Sequence, residues 1–325
     1  MLILGLQGSP RKKGNTNFLL STFMTAAEKF GARTLVIDVT QKEIIPCKEY
    51  TVCEKKGYCQ IDDDVKDEIY PLLREAEVVV VATPIFFYNM TAQLKAVVDR
   101  CQMFWARKYK LKLKDPGASM RRGFLLAVGA TKGKNLFEGL NLTTQYFFDA
   151  IGAKFEDSLT YRGIEGPQDM TRHPKVIEEV EQAVARLLTP FQGRKKVLFA
   201  CRENACRSQM ASAFAQFLAG DTLDVSNGGS QPAEKINPDM VTVMHEKGID
   251  MGYRSPRSIE EAILNDAPEL IITMGCGEQC PLVPGAKITD WDLPDPAGKS
   301  IEYMRDVRDE IEKKVVNLIN EIKCE

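Results

Sequence analysis

Short runs of β-branched and aliphatic residues alternate with segments whose apolar positions recur every three to four residues. Residues 2–6, 34–39, 78–82 and 124–128 read as strands, with amphipathic helical segments between them. Strands that take turns with helices predict a parallel α/β sheet, because each crossover needs a helix to return the chain. A second series opens at residues 197–200, continues through 223–225 and 270–273, and closes with a charged helix over about 300–322. Between the series, a helix over 176–188 ends at Thr189-Pro190, and a short polar connector, 191–196, follows. The expectation is an α/β protein of two doubly wound parallel-sheet domains, 1–191 and 192–325. Both halves open with a strand feeding an anion-type loop, but the loops differ, so they are not an internal repeat.

Length agrees with two domains, since 325 residues exceed what one hydrophobic core usually organises. Apolar residues at 44% and charged residues at 27% describe a globular chain without low-complexity tails. A formal charge of -2 gives no field to draw in nucleic acid or an anionic membrane, which directs attention to small-molecule partners. The apolar start over 1–6 is only strand-length and runs into Gly8-Ser9-Pro10, so neither a signal peptide nor a membrane span is expected, and a cytoplasmic location is. In that compartment nine cysteines point to thiol, metal or redox chemistry instead of a disulfide scaffold.

The first strand runs into Gly8-Ser9-Pro10-Arg11-Lys12-Lys13-Gly14-Asn15-Thr16-Asn17, then a helix. Free N–H groups at a helix start and the helix dipole favour a phosphate there, with Arg11 as a clamp. The spacing is neither that of the Walker loop nor that of the dinucleotide-binding glycine pattern. The third strand ends in Thr83-Pro84-Ile85-Phe86-Phe87-Tyr88-Asn89-Met90, followed by a helical segment from Thr91. Pro84 fixes the backbone, and Phe86 and Phe87 offer flat apolar surface for a ring; burial as plain core is the alternative.

Over roughly residues 1–188 these motifs resemble the flavodoxin-like NAD(P)H-dependent FMN reductase family, including its iron-sulfur flavoprotein branch. The resemblance implies FMN at Ser9, Arg11, Gly14, Asn15, Thr16, Pro84, Ile85, Phe86, Phe87, Asn89, Met90 and Gly129, with NADPH or NADH as electron donor. It also implies a homo-oligomer. Cys47, Cys53 and Cys59 resemble the cysteine series of the iron-sulfur branch, but Tyr50 stands where a fourth thiolate is needed. A 4Fe–4S cluster and plain loop thiols both stay open. Cys101, in a helical apolar stretch, is expected in the core. The run Arg107, Lys108, Lys110, Lys112 and Lys114, interleaved with Tyr109, Leu111 and Leu113, reads as a half-exposed strand or as a site for the NADPH 2′-phosphate.

The sharpest motif is Cys201-Arg202-Glu203-Asn204-Ala205-Cys206-Arg207-Ser208, between a strand and a helical segment. Such a loop can wrap a tetrahedral oxyanion: backbone N–H groups form the cradle, Arg207 the clamp, and the helix start favours a Cys201 thiolate. Ser208 is placed to hydrogen-bond the sulfur. These residues resemble the low-molecular-weight tyrosine phosphatase superfamily, and 195–325 resembles its arsenate reductase branch. The resemblance implies Cys201 as nucleophile, Arg207, Asn204 and Ser208 as loop residues, and Asp295 as general acid. Ala297 and Gly298 then stand where phosphatases carry aromatics for an aryl substrate. Arsenate reduction takes two electrons, which Cys276 and Cys280 in Met274-Gly275-Cys276-Gly277-Glu278-Gln279-Cys280-Pro281 can supply by disulfide exchange. Structural zinc is the rival reading of that pair, weakened by only two histidines, His173 and His245. Glu203 stands where many relatives carry glycine, so its carboxylate must either point away from the anion or weaken its binding. Cys206 is expected to be packed, and Cys324 to be a free terminal thiol.

Arsenate reduction to arsenite is thus expected, with electrons from NAD(P)H through FMN, from thioredoxin or from a small thiol. A redox-controlled phosphatase and a non-catalytic arsenic or redox sensor are the alternatives. No metal site is assigned.

Overall fold

A computed structural model describes residues 1–264, 267–275 and 283–324. In its first part, β1 (Leu2–Gln7), β2 (Arg33–Asp38), β3 (Val78–Pro84), β4 (Arg122–Gly129) and β5 (Lys154–Arg162) form a wholly parallel sheet in the order β2-β1-β3-β4-β5. The order explains the composition of the strands. β1, β3 and β4 lie inside the sheet and are buried along nearly their whole length, so they read as continuous apolar runs. Ile3, Val78, Val80 and Phe124 pack in one cluster with Leu19, Leu20 and Phe23 of the helix Asn15–Glu28 and with Val180 and Val184 of the helix Val176–Leu188. The intervening residues Leu4, Leu6, Val79, Val81 and Leu125 are buried as well, so both faces of the sheet are covered. β5, which the sequence pattern does not reveal, is an edge strand whose residues are mostly exposed or half-buried, and a bulge interrupts its pairing with β4.

The second sheet contains β6 (Lys195–Cys201), β7 (Leu223–Gly229), β8 (Leu270–Met274) and β9 (Lys287–Asp290), again all parallel, in the order β7-β6-β8-β9. β9, a short polar edge strand, is likewise unannounced by the sequence. The helix Arg207–Ala219 is buried from Arg207 to Ala215, and its alanines and serines let it lie close on the sheet. The helix Ile301–Cys324 adds Met304, Val307, Ile311 and Val315 to the same core.

Residues 1–112 and 120–192 make one compact unit; 113–119 and 193–325 make the other. Segment 113–119, which a single boundary near 192 assigns to the first domain, joins the second unit through its backbone. The Lys114 N–H donates to Gly248 at 2.7 Å, and its carbonyl accepts from Asp250 at 2.8 Å.

The basic run is not a strand. Residues Ala106–Lys110 form a wide helical turn, and its cations have local partners. The buried Arg107 donates to the Gly57 carbonyl at 2.7 Å, Lys108 to the Asp149 carboxylate at 2.8 Å, and Lys110 lies 4.0 Å from Glu54. Arg107 is therefore committed to holding a neighbouring segment, and Lys108 reaches Asp149 from a part-exposed position. Cys101 is in the core, where burial pushes its thiol well above the ordinary range.

Candidate functional sites

In the second unit, β6 delivers Cys201, 2% exposed, to the start of the loop. The loop is held from outside by its carbonyls. Those of Cys201, Arg202, Glu203 and Ala205 accept from the N–H groups of Ser230, Gln231, Ala233 and Asn237 at 3.2, 2.7, 3.0 and 2.9 Å. In a peptide the N–H points opposite to the C=O, so outward carbonyls turn amide hydrogens toward the inside of the arc. Gly229 permits this closeness, since a Cβ there would stand 2.7 Å from the Arg202 oxygen and 2.8 Å from the Asn204 nitrogen.

Asn204 is the hub of the site. It is fully buried at φ 50°, a conformation asparagine tolerates better than most residues. Its Nδ2 donates to Ser208 Oγ at 2.8 Å and to Asn227 Oδ1 at 2.9 Å; its Oδ1 accepts from the Arg257 N–H at 3.0 Å and from Gln209 Nε2 at 3.2 Å. Ser208 Oγ lies 3.0 Å from Cys201 Sγ. That oxygen also accepts from Asn204 Nδ2, so Ser208 joins the hub to the sulfur.

Arg207, 5% exposed, donates to the Leu293 carbonyl at 2.9 Å and lies 3.2 Å from the carboxylate of Asp295, whose side chain is more than half exposed. The clamp and the candidate acid therefore meet in one place. Gly275, at φ 70°, ends β8 against the clamp; a Cβ there would lie 2.9 Å from Arg207 Nη1. Cys276 and Cys280 fall outside the described residues. Glu203 is exposed. Cys206 is packed, with Sγ 3.3 Å from Met304 Sδ, and burial together with the neighbouring Cys201 pushes its thiol upward. Cys324 is exposed.

Asn227, Ser212, Gln209, Arg254 and Arg257 support this loop, and sequence reasoning passed over them. The nearest signal was a polar Asn227 before Gly228-Gly229 at the end of β7; the partners converge only through folding.

In the first unit, β1 and β3 diverge to different neighbours, which opens a crevice at their carboxyl ends where ligands of such folds sit. The loop after β1 is compact. The buried Ser9 Oγ accepts from the Arg11 N–H at 3.3 Å, and the Gly14 N–H returns to the Arg11 carbonyl at 3.1 Å. Gly14 opens the helix Asn15–Glu28 without a side-chain cap, which leaves the first-turn amides to a ligand or water. Asn15 is used differently from expectation: its side chain donates to the Gly166 carbonyl at 2.9 Å and accepts from the Met170 N–H at 3.1 Å. It holds the 166–170 loop beside the phosphate loop, so only its main chain remains for an anion. Thr16 and Met90 are buried.

After β3 the chain turns outward. Phe87 and Tyr88 both take positive φ, 46° and 61°, and Phe86, Phe87 and Tyr88 are exposed, Phe87 completely. These aromatics are not core. Pro84 and Ile85 are half-buried; Asn89 donates to Thr143 Oγ1 at 3.0 Å, and its Oδ1 accepts from the Met90 N–H at 2.8 Å. Gly129 leaves room for Leu136, which a Cβ would meet at 2.6 Å. Gln7, missed by the sequence reading, is 2% exposed at the end of β1, with no partner for either amide atom among the described residues. An uncapped helix start, an outward aromatic loop and an orphaned buried amide at the crevice suit a phosphate-bearing ring ligand such as FMN.

The iron-sulfur expectation fares differently. Among the described residues, no group of three or more histidine, cysteine or carboxylate side chains is gathered to hold a metal ion, and Cys47, Cys53 and Cys59 do not form one. Nor is any helix long and apolar enough to cross a membrane among those residues.

A strand-borne cysteine at the start of a loop whose carbonyls are held from outside, with Arg207 at its far end, is the geometry that can seat an oxyanion beside a thiol on a parallel α/β domain. Comparison with known proteins agrees. Residues 196–325 match the family of low molecular weight phosphotyrosine protein phosphatases, and residues 1–141 match the NADPH-dependent FMN reductases. A glutaredoxin arsenate reductase of Synechocystis is 37% identical over 130 residues, 39% of this chain and 98% of its own length. Arsenate reductase 2 of Staphylococcus haemolyticus is 36% identical over 126 residues, 38% of this chain and 94% of its own. An iron-sulfur flavoprotein of Methanosarcina thermophila is 37% identical over 123 residues, 38% of this chain; the match spans 63% of that protein. The chain belongs, through residues 196–325, to the low molecular weight phosphotyrosine protein phosphatase family, and it carries ahead of that a domain of the NADPH-dependent FMN reductase family.

Proposed function

We propose that this chain is an oxidoreductase that reduces arsenate to arsenite. One observation carries the reading: Cys201, at the end of β6, is held 3.0 Å from the Ser208 hydroxyl in an arc closed by Arg207. Two named arsenate reductases with 36% and 37% identity over nearly their full lengths support the choice of substrate. So does Ala297-Gly298 after Asp295-Pro296, which offers no wall for an aryl group.

The Cys201 thiolate forms a sulfur–arsenic bond as an arsenic–oxygen bond breaks. Asp295 protonates the departing oxygen, which leaves as water. Arg207 and the loop amides hold the remaining oxygens. Cys276, as thiolate, then attacks Cys201 Sγ. A disulfide forms, the sulfur–arsenic bond breaks, and its electron pair stays on arsenic, which falls from the +5 to the +3 state. Exchange with Cys280 frees Cys201 and leaves a Cys276–Cys280 disulfide, which needs two electrons for the next cycle.

In the first domain Ser9, Arg11, Gly14 and the main chain of Asn15 and Thr16 would hold the phosphate of FMN. Pro84, Ile85, Phe86, Phe87, Asn89 and Gly129 would surround its ring. FMN bound there would supply hydride acceptance from NADPH or NADH.

The test is arsenite production by the full chain with arsenate, run with NAD(P)H and FMN alone and then with added thioredoxin, glutaredoxin or a small thiol. Loss of arsenite in Cys201→Ser and trapped arsenic on Cys201 in Cys276→Ser are the expected outcomes. Aryl phosphate turnover that survives Cys276→Ser, with no arsenite formed, would replace this reading with a phosphatase. Arsenite that appears only with an added thiol would remove the flavin domain as electron source.

A further inference from the structure

Gln7 ends β1 with a buried amide that bonds to nothing in the protein. It is 2% exposed, and neither Oε1 nor Nε2 has a hydrogen-bond partner among the described residues. A buried donor and acceptor left unpaired cost more than an apolar side chain of the same size, so a glutamine at this position needs a reason. The groups around it are committed elsewhere. The Gly8 N–H donates to the Ala82 carbonyl at 2.8 Å, and the Gly8 carbonyl accepts from Thr91 Oγ1 at 2.7 Å. Asp38, opposite Gln7 in the pairing of β1 with β2, accepts from the Thr40 N–H and hydroxyl at 3.0 and 2.6 Å.

Strand alternation places the amide. Ile3, Gly5 and Gln7 share one face of the sheet. Ile3 packs in the cluster that contains Leu19, Leu20 and Phe23 of the helix Asn15–Glu28, and a Cβ on Gly5 would meet Met24 and Leu20 of the same helix. From Gly5 to Gln7 the strand advances roughly 6.6 Å toward the loop, and from Leu20 back to Thr16 the helix retreats by about one turn, 5.4 Å. Gln7 therefore comes under the opening turn of the helix, where Thr16 is buried. That helix is 14 residues long and has no side-chain cap at its start. Uncapped amides and an unpartnered carboxamide thus meet at one place. The first favour an anion, and the second adds a neutral donor where a buried cation would be far costlier.

We propose that Gln7 binds the phosphate of the flavin nucleotide from beneath the loop and so sets a preference for FMN over riboflavin, which lacks that group. The inference rests on the reading of the first domain as an FMN site. The loop residues implied by family resemblance begin at Ser9, and Gln7 lies outside them.

The test is titration of the full-length apoprotein with FMN and, separately, with riboflavin, followed by flavin fluorescence. Gln7→Met keeps the length of the side chain and removes its hydrogen bonding; thermal unfolding of the apoprotein checks that the variant is folded. Its FMN dissociation constant is expected to rise about tenfold, the worth of one hydrogen bond to a charged group, while that of riboflavin stays within about twofold. Gln7→Asn, which withdraws the amide by one methylene, lowers the preference for FMN in the same sense and serves if Gln7→Met does not fold. A folded variant that keeps the wild-type ratio of the two constants overturns the proposal, as does a wild-type protein that binds riboflavin as tightly as FMN. A wild-type protein that binds neither flavin defeats the FMN reading itself, a separate result.

Discussion

Removal of the Asn204 side chain tests how the anion loop is held. Asn204→Gly keeps the positive φ at no steric cost and deletes four hydrogen bonds. Gln209 Nε2 retains the Ser255 carbonyl at 3.1 Å, and Ser208 retains Cys201, so neither is stranded. The Arg257 N–H and Asn227 Oδ1 lose their partner. At about 1 to 3 kcal/mol for each unsatisfied buried group, the cost is about 2 to 6 kcal/mol, and water entering a polar gap brings it toward the lower end, about 3 kcal/mol. Asn204→Ala adds about 1 kcal/mol, because alanine must take a left-handed backbone without asparagine's local compensation. Denaturant unfolding followed by Trp291 fluorescence measures both, since Trp291 is buried in the second unit and the other tryptophan, Trp105, belongs to the first. The expected order is wild type, Gly, Ala, with arsenite formation lost in step. If Asn204→Gly unfolds at the wild-type denaturant concentration, Asn204 is not the hub.

Three further outcomes follow from the same geometry. The Asp63–Arg100 pair has both side chains fully buried at 2.6 Å, so Asp63→Asn is expected to cost the first unit about 3 to 5 kcal/mol in denaturant unfolding. Burial alone would push the Asp63 carboxyl up, but Arg100 and the Ile45 and Lys66 amides outweigh it and hold it below the ordinary range. Its contribution is therefore full above the unfolded value of about 3.9 and lost as pH falls through the lower folded value, so wild type and Asp63→Asn converge on acidification. Phe87→Ala, at a fully exposed position, is expected to leave thermal unfolding of the apoprotein unchanged and to weaken FMN binding about tenfold in a fluorescence titration; unchanged FMN affinity removes Phe87 from the site. Glu203→Gly is expected to alter oxyanion affinity no more than about threefold in a calorimetric titration, because the exposed carboxylate is screened.

Two kinds of feature were legible before any coordinates. Interior strands announce themselves because a parallel sheet covered on both faces demands unbroken apolar runs, and β1, β3, β4, β6 and β8 supply them. Strand-to-helix loops of this kind announce themselves because their characteristic residues come from one short segment: cysteine, arginine and serine in 201–208, glycines, hydroxyls and cations in 8–17. Edge strands divide: β2 and β7 keep enough aliphatic residues to be read at 34–39 and 223–225, whereas β5 and β9 face solvent and carry polar residues, so their pairing is visible only beside a neighbour.

The sequence by itself thus determined two parallel α/β folds and the strand-to-helix loop that carries Cys201 and Arg207, both of which depend on local pattern. Tertiary structure alone decided that Arg107 and Lys108 bond to neighbouring segments, that Asn15 spends its side chain on the 166–170 loop, and that Phe86 and Phe87 stand in solvent. It alone joined Arg254, Ser212 and Asn227 to the loop. Hydrogen-bond partners far apart in the chain are chosen by which donors and acceptors burial leaves unsatisfied, and that choice exists only once the sheet has closed.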